Sequence, residues 1–206
     1  MRQEIRNRIL QIALERFNED GFKEVTTDSL SKDIGISKKT LYVYFKSKEE
    51  IFETIYLQKS EIEKSLFEAT LNRIAEDCDI IFLDELKELT TIGSKLKFRY
   101  SKLFFRDLKI YFPYLWENEL LLRSEYSRKS FDIIWQKGIE NGIFRTDLNK
   151  QIIYLMQLEV FNKLLDPEVL QNIPGTIDEI IENIFNIFFF GVMNSNQLLN
   201  NRQIQI

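Results

Sequence analysis

Between Ser37 and Tyr44 the chain reads SKKTLYVY, and almost every side chain in this stretch can bond to a polyanion. Lys38 and Lys39 can donate to phosphate oxygens or to the O6 and N7 acceptors of a guanine. Thr40 can reach a base or a phosphate, Val43 can pack on a thymine methyl, and the Tyr42 and Tyr44 hydroxyls can donate to phosphate oxygens. Ser37 is a favourable helix N-cap, so it can open a short helix whose first N–H groups and positive dipole end face an anion. The surrounding charge agrees. Residues 26–48 hold Lys32, Lys38, Lys39, Lys46 and Lys48 against Asp28 and Asp33, in a chain whose formal net charge is −4. A basic island on an acidic protein is where an anionic partner binds.

Other chemistries are made improbable by what the chain lacks. It contains no His, which removes the commonest general base, the Ser–His and Cys–His nucleophile pairs, and the usual zinc or haem ligand. A single cysteine, Cys78, can form neither an intrachain disulfide nor a thiolate cluster; it reads as a neutral thiol or as a redox trigger. No G-x-S-x-G nucleophile motif is present. The expectation is therefore no enzyme, with no catalytic residue, cofactor or metal. Seven Gly and three Pro in 206 residues are less than half of average usage, which argues against a turn-rich sheet fold and a glycine-rich phosphate cradle. The opening MRQEIRNRILQIALERF carries charges where a secretory signal needs an apolar stretch. The most apolar run, residues 184–193, is too short to span a bilayer. A cytoplasmic chain with no membrane partner is expected.

The elements that must hold the basic island are helical. Ile5, Ile9, Ile12, Ala13 and Phe17 recur at helical spacing, predicting a helix over 3–20 that Gly21 ends. Thr26 or Thr27 can cap a second over 27–34, with Leu30 and Ile34 inward and Gly35 as a left-handed stop. A third over 38–44 pairs Leu41 with Phe45. Helix, glycine turn, helix is the helix-turn-helix plan. Ser47-Lys48-Glu49-Glu50 is a capping box opening a long helix to the mid-seventies. Periodic segments follow near 80–92 and 94–110. Pro113 starts a helix ended by Asn141-Gly142, Asp147 or Asn149 caps one reaching Leu165, and Thr176-Ile177-Asp178-Glu179 opens a last one over 177–193.

The stretch TTDSLSKDIGISKKTLYVYFKSKEE, residues 26–50, resembles the DNA-binding motif of the TetR family, the tetracycline-repressor-like regulators. It agrees at nearly every specified position of T-T-x-x-[LI]-[AS]-x-x-x-G-[VI]-S-x-x-T-L-Y-x-[YH]-F-x-[SN]-K-E-[ED]. The likeness continues through the first helix and, more weakly, at Phe112-Pro113-x-Leu115-Trp116 and around Gly142 to Leu148. The resemblance implies that Lys48 contacts phosphate and that Thr27 does the same from the start of its helix. Together with Ser37, Lys38, Lys39, Thr40, Tyr42, Val43 and Tyr44 these form the expected DNA-binding set. Two departures stand out. Asp28 sits where some members place an arginine on DNA, so it either faces away or accepts from a cytosine amine. Two consecutive lysines also replace the usual lysine and glycine.

What the resemblance further implies is an all-α chain with a DNA-binding domain over 1–47, a ligand-binding and dimerisation domain over 48–194 and a polar tail over 195–206. Its function would be that of a homodimeric repressor on a palindromic operator in double-stranded DNA, released by a small apolar or amphipathic effector. The alternative is an architectural or cell-division factor of the same fold without an inducer. The aromatics Phe98, Tyr100, Phe104, Phe105, Trp116, Tyr126, Phe131, Trp135 and Phe161 are either plain core or the wall of an apolar cavity. Lys95, Arg99, Lys102, Arg106 and Lys109 share one helical face; they are either solvated or, through Arg99, Lys102 and Arg106, holders of an anionic head group. The last helix is apolar nearly all round, so it needs a partner subunit besides its own domain. The expected seam is Ile152, Leu155, Ile177, Ile181, Ile184 and Phe188.

Overall fold

Apolar residues at helical spacing draw the chain into nine helices among the residues described by the computed structural model, which are 2–76, 82, 84–86, 88–89 and 100–194. They are α1 (Arg2–Glu19), α2 (Thr27–Ile34), α3 (Lys38–Tyr44), α4 (Lys48–Glu76), α5 (Lys102–Tyr111), α6 (Pro113–Glu140), α7 (Lys150–Leu164), α8 (Pro167–Leu170) and α9 (Ile177–Val192). Cys78, Lys95, Phe98, Arg99 and the tail 195–206 lie outside the described residues.

Caps set most of the boundaries. Thr26, not Thr27, caps α2: its Oγ1 accepts the Ser29 N–H at 3.0 Å while the Ser29 hydroxyl oxygen accepts the Thr26 N–H at 3.1 Å. Gly35, at φ 76°, ends the helix in a conformation that costs other residues about 1–2 kcal/mol. Asn149 caps α7 through the Gln151 and Ile152 N–H groups, because Asp147 is engaged by Arg145 at 2.7 Å. Ser101 caps α5, so this helix starts later than the periodicity over 94–110 suggests. Asp166 caps the single turn α8, which the sequence reading passed over as a break.

The largest core joins α1, α2, α3 and the first part of α4 to α5 and the start of α6, and so crosses residue 47 without interruption. Phe52 is its centre, fully buried and stacked against Phe104 at 4.2 Å and Phe112 at 4.5 Å between ring centroids. Burial of one such ring contributes about 1.5–3 kcal/mol. Phe22 packs edge-on to Phe52 and Phe112. A second core gathers Ile74, Phe131, Trp135, Phe144 and Val192. There Gly138 lets the Phe144 ring lie directly on the α6 backbone, where a Cβ would meet it at 2.2 Å.

The third core takes up part of the expected seam. Ile184 is 3 % exposed and packs with Leu165, Leu170 and Ile180, while Ile177, Ile181 and Phe188 lean on the same cluster. Ile184 therefore has almost no area left to give a partner, whereas Ile177, Ile181 and Phe188 stay half-buried. The outward face instead carries Ile187, 74 % exposed, and Phe190. Beside it α7 has no buried residue at all, with Ile152, Leu155 and Met156 all exposed.

Candidate nucleic-acid interface and ligand cavity

Leu30, Ile34, Leu41 and Phe45 are fully buried, and they fix the angle between α2 and α3 so that the opposite face of α3 looks outward. Ser37, Lys38, Lys39, Tyr42 and Val43 are exposed there. An exposed valine beside an exposed tyrosine on a seven-residue helix has no packing purpose within the chain. Thr40 is half-buried, and its hydroxyl lies 2.7 Å from that of the capping Ser37. Tyr44 is half-buried against the core. Asp28 does not turn away from this surface: its Oδ1 holds the Lys38 Nζ at 2.8 Å and raises the pKa of that lysine.

Lys48 is placed differently from its neighbours. Its Nζ donates to the carbonyls of Phe22 at 2.6 Å and Val25 at 2.7 Å and sits 4.2 Å from the centre of the Phe22 ring. Partial burial draws its pKa below the ordinary lysine value. An ammonium has three donors, so the loop between α1 and α2 takes two of them. Thr27 is half-buried, and its carbonyl accepts the Ser31 hydroxyl at 2.7 Å.

The same loop is clamped from the other side. Asp107 on α5 is 1 % exposed, accepts the Phe22 N–H at 2.5 Å and pairs with Arg106 at 2.9 Å. Gly21 permits the approach: at φ 84° it turns the chain, and a Cβ there would stand 2.9 Å from Asp107 Oδ2. Asn18 adds a bond to the Ser101 N–H at 2.7 Å. A buried carboxylate that meets both a backbone donor and a guanidinium forms a strong joint, because charge-assisted bonds are about twice as strong as neutral ones.

Farther along, α4, α6, α7 and α9 stand apart around a cavity of about 330 Å³. Tyr100, Phe105, Tyr126 and Phe161 line it. Phe131 and Trp135 line a smaller neighbour of about 60 Å³ that Phe161 also touches. The remaining described residues of the expected ligand set are elsewhere. Phe104 and Trp116 belong to the core around Phe52. Lys102 donates to the Ile173 carbonyl, Arg106 is held by Asp107, and Lys109 pairs with Asp166 at 2.9 Å. Carbonyls and carboxylates of neighbouring segments hold these cations, so none of the three faces the cavity.

The family model described as "Bacterial regulatory proteins, tetR family" matches residues 9–55, which include α2, α3 and the clamped loop. This N-terminal segment is tetR-like. It is 26 % identical over 193 residues to the HTH-type transcriptional regulator YvaF of Bacillus subtilis, covering 90 % of this chain and 94 % of that one. The nucleoid occlusion factor SlmA of Mannheimia succiniciproducens is 33 % identical over 136 residues, covering 56 % and 60 %. In fold, the chain is similar to the ketosteroid transcriptional regulator KstR2 of Mycobacterium tuberculosis, with a TM-score of 0.55 at 18 % identity over 92 % of this chain and 95 % of that one.

Outside the matched segment, the polar groups of the cavity wall were missed by sequence reasoning. Lys59 lies 3.6 Å from Glu63 and over the Tyr100 ring. Burial lowers the pKa of Lys59 and raises that of Glu63. Glu119 accepts from the Tyr56 hydroxyl at 2.6 Å and from Arg123 Nε at 2.9 Å. Burial, followed by the nearby Glu119 charge, pushes the Tyr56 phenol far above its ordinary pKa. The available signal was positional. Lys59 and Glu63, like Glu119 and Arg123, are oppositely charged at i and i+4, a spacing that usually marks a solvated face. Among the described residues, no helix is long and apolar enough to cross a membrane.

Proposed function

We propose that this regulator is a repressor that binds a palindromic operator as a homodimer and leaves it when a small, mainly apolar molecule fills the cavity. The division of labour follows the expected boundaries, with residues 1–47 reading DNA and 48–194 sensing and dimerising. The exposed Lys38, Lys39, Tyr42 and Val43 on α3 carry this reading, since they combine phosphate donors, base-edge donors and an apolar contact on one helix. Ser37 and Thr40 support the first turn, and Thr27, Tyr44 and Lys48 flank it as phosphate contacts. Lys48 does so with the one donor its loop leaves over.

Two faces support dimerisation. Ile152, Leu155 and Met156 on α7 and Ile187 and Phe190 on α9 expose an apolar surface that a second copy would cover isologously. A route from cavity to DNA is also at hand. Tyr100 lines the cavity and stacks on Phe104 at 4.2 Å; Phe104 stacks on Phe52, and Phe52 meets Phe17 at 5.2 Å. A ligand that prefers one setting of α5 thus biases the loop held by Asp107 and Lys48, and with it the spacing of the two α3 helices.

Footprinting on DNA flanking its own gene tests the proposal. Two protected half-sites, centred about one or two helical turns apart, are expected. The similarity to SlmA favours a second reading, in which the chain occupies many dispersed sites as an architectural factor. Dispersed protection that no apolar compound disturbs would replace the first reading with that one.

A further inference from the structure

Among the described residues, the lining of the larger cavity contains equal numbers of opposite charges: Lys59, Lys64 and Arg123 against Glu63, Glu119 and Asp178. Lys59 and Glu63 face each other, and Arg123 is neutralised by Glu119 while its guanidinium lies 5.6 Å from the Phe105 ring centre and 5.3 Å from that of Trp116. What is missing is a hydrogen-bond partner. Arg123 Nη1 and Ser127 Oγ are buried and without one among the described residues. Arg123 and Ser127 stand one turn apart on α6, so their side chains share a face, and both residues line the cavity.

A buried donor left unpaired keeps its desolvation penalty without compensation, and native structures leave few such groups without a reason. An anionic head group would satisfy the Arg123 donor, but it would add an uncompensated charge to a balanced and partly desolvated wall. A cation would meet carboxylates already engaged and leave Nη1 as it was. A neutral acceptor satisfies the donor and disturbs no charge. Away from this polar side, Phe105, Tyr126, Phe161, Ile181 and Phe185 offer apolar surface for the rest of the molecule.

We infer that the effector is an uncharged, mainly apolar molecule with a carbonyl-type acceptor, whose oxygen is received by Arg123 Nη1 and the Ser127 hydroxyl. This rests on the reading of the cavity as the effector site. It replaces Lys102 and Arg106 as candidate holders of a polar head.

The test uses the full chain and three probes of matched chain length, methyl decanoate, decanoate and decylamine, read by thermal shift and by release of bound DNA. Methyl decanoate raises the melting temperature and weakens DNA binding at the same concentrations, as linkage requires; the two charged probes do so far less. Ser127→Ala weakens the response to the ester about fivefold without lowering the ligand-free melting temperature. Arg123→Met abolishes the preference for ester over decanoate. A larger shift with decanoate or decylamine overturns the inference, as does no shift with any probe or an unaltered ester response in both variants. DNA binding without any probe is measured in parallel. Its absence together with a normal ester response would defeat the proposed function and leave this site standing, whereas intact DNA binding with no ester response does the reverse.

Discussion

The two ends of the molecule are built to opposite standards. Around Phe52, rings stack in close parallel and edge contacts, and both sides of the loop between α1 and α2 are clamped by charge, through Asp107 and Lys48. Around the cavity, helices of greater length leave about 330 Å³ unfilled, and polar atoms stand buried without partners among the described residues. A DNA reader must hold α3 at a fixed angle, and tight packing does that. On the proposed function the cavity is a sensor that must change on occupancy, so part of its wall has to remain unsatisfied until something arrives. Rigidity and incompleteness are thus placed in series, joined through Tyr100, Phe104 and Phe52.

The contrast breaks most visibly at Phe52. Phe52→Ala should destabilise the chain by about 3–5 kcal/mol, whereas Phe161→Ala, in the half-buried cavity wall, should cost less than half as much. Urea denaturation of both variants measures the difference, and equal losses would mean that the two ends are equally packed. Ile187→Lys places a charge on the exposed α9 face; sedimentation should show helical monomers and palindrome binding should fall more than tenfold. Lys38→Met should lose about ten- to hundredfold on the operator and relax preference at one position of each half-site, while Lys39→Met changes affinity with less effect on preference. Gly35→Ala tests the turn alone: nothing lies within 4 Å of its Cβ position, so the loss of about 1 kcal/mol seen in thermal melts reflects backbone conformation. Asp28→Asn is the smallest change. It frees Lys38 and removes a like charge to phosphate, so affinity for DNA of any sequence should rise about two- to fivefold.

How much of this was legible followed the same division. In the reading end, specificity is local. The cap at Ser37, the stop at Gly35, and the inward set Leu30, Ile34, Leu41 and Phe45 are each encoded within a few residues, so their spacing disclosed them. The joint between Asp107 and Phe22 spans 85 positions and leaves no periodic trace. In the sensing end, aromatic abundance pointed to a cavity but could not separate Phe104 and Trp116, which close the first core, from Phe105 and Phe161, which line the space. The basic stripe that runs into α5 is regular in sequence, yet Lys102 and Lys109 are held by α8 and the loop after it, and Arg106 by Asp107 of its own helix. The α9 helix is apolar on several faces, and only its packing against Leu165 and Leu170 decides which face remains outward.

The central claim is that the tight end reads base sequence rather than charge alone. The most direct measurement is the ratio of affinities of the full chain for its footprinted operator and for a scrambled duplex of the same length and composition, at physiological salt. A ratio on the order of a thousand or more, falling toward that of a non-specific binder in Lys38→Met, is the expected result. A ratio near one, with the same salt dependence on both duplexes, would contradict it.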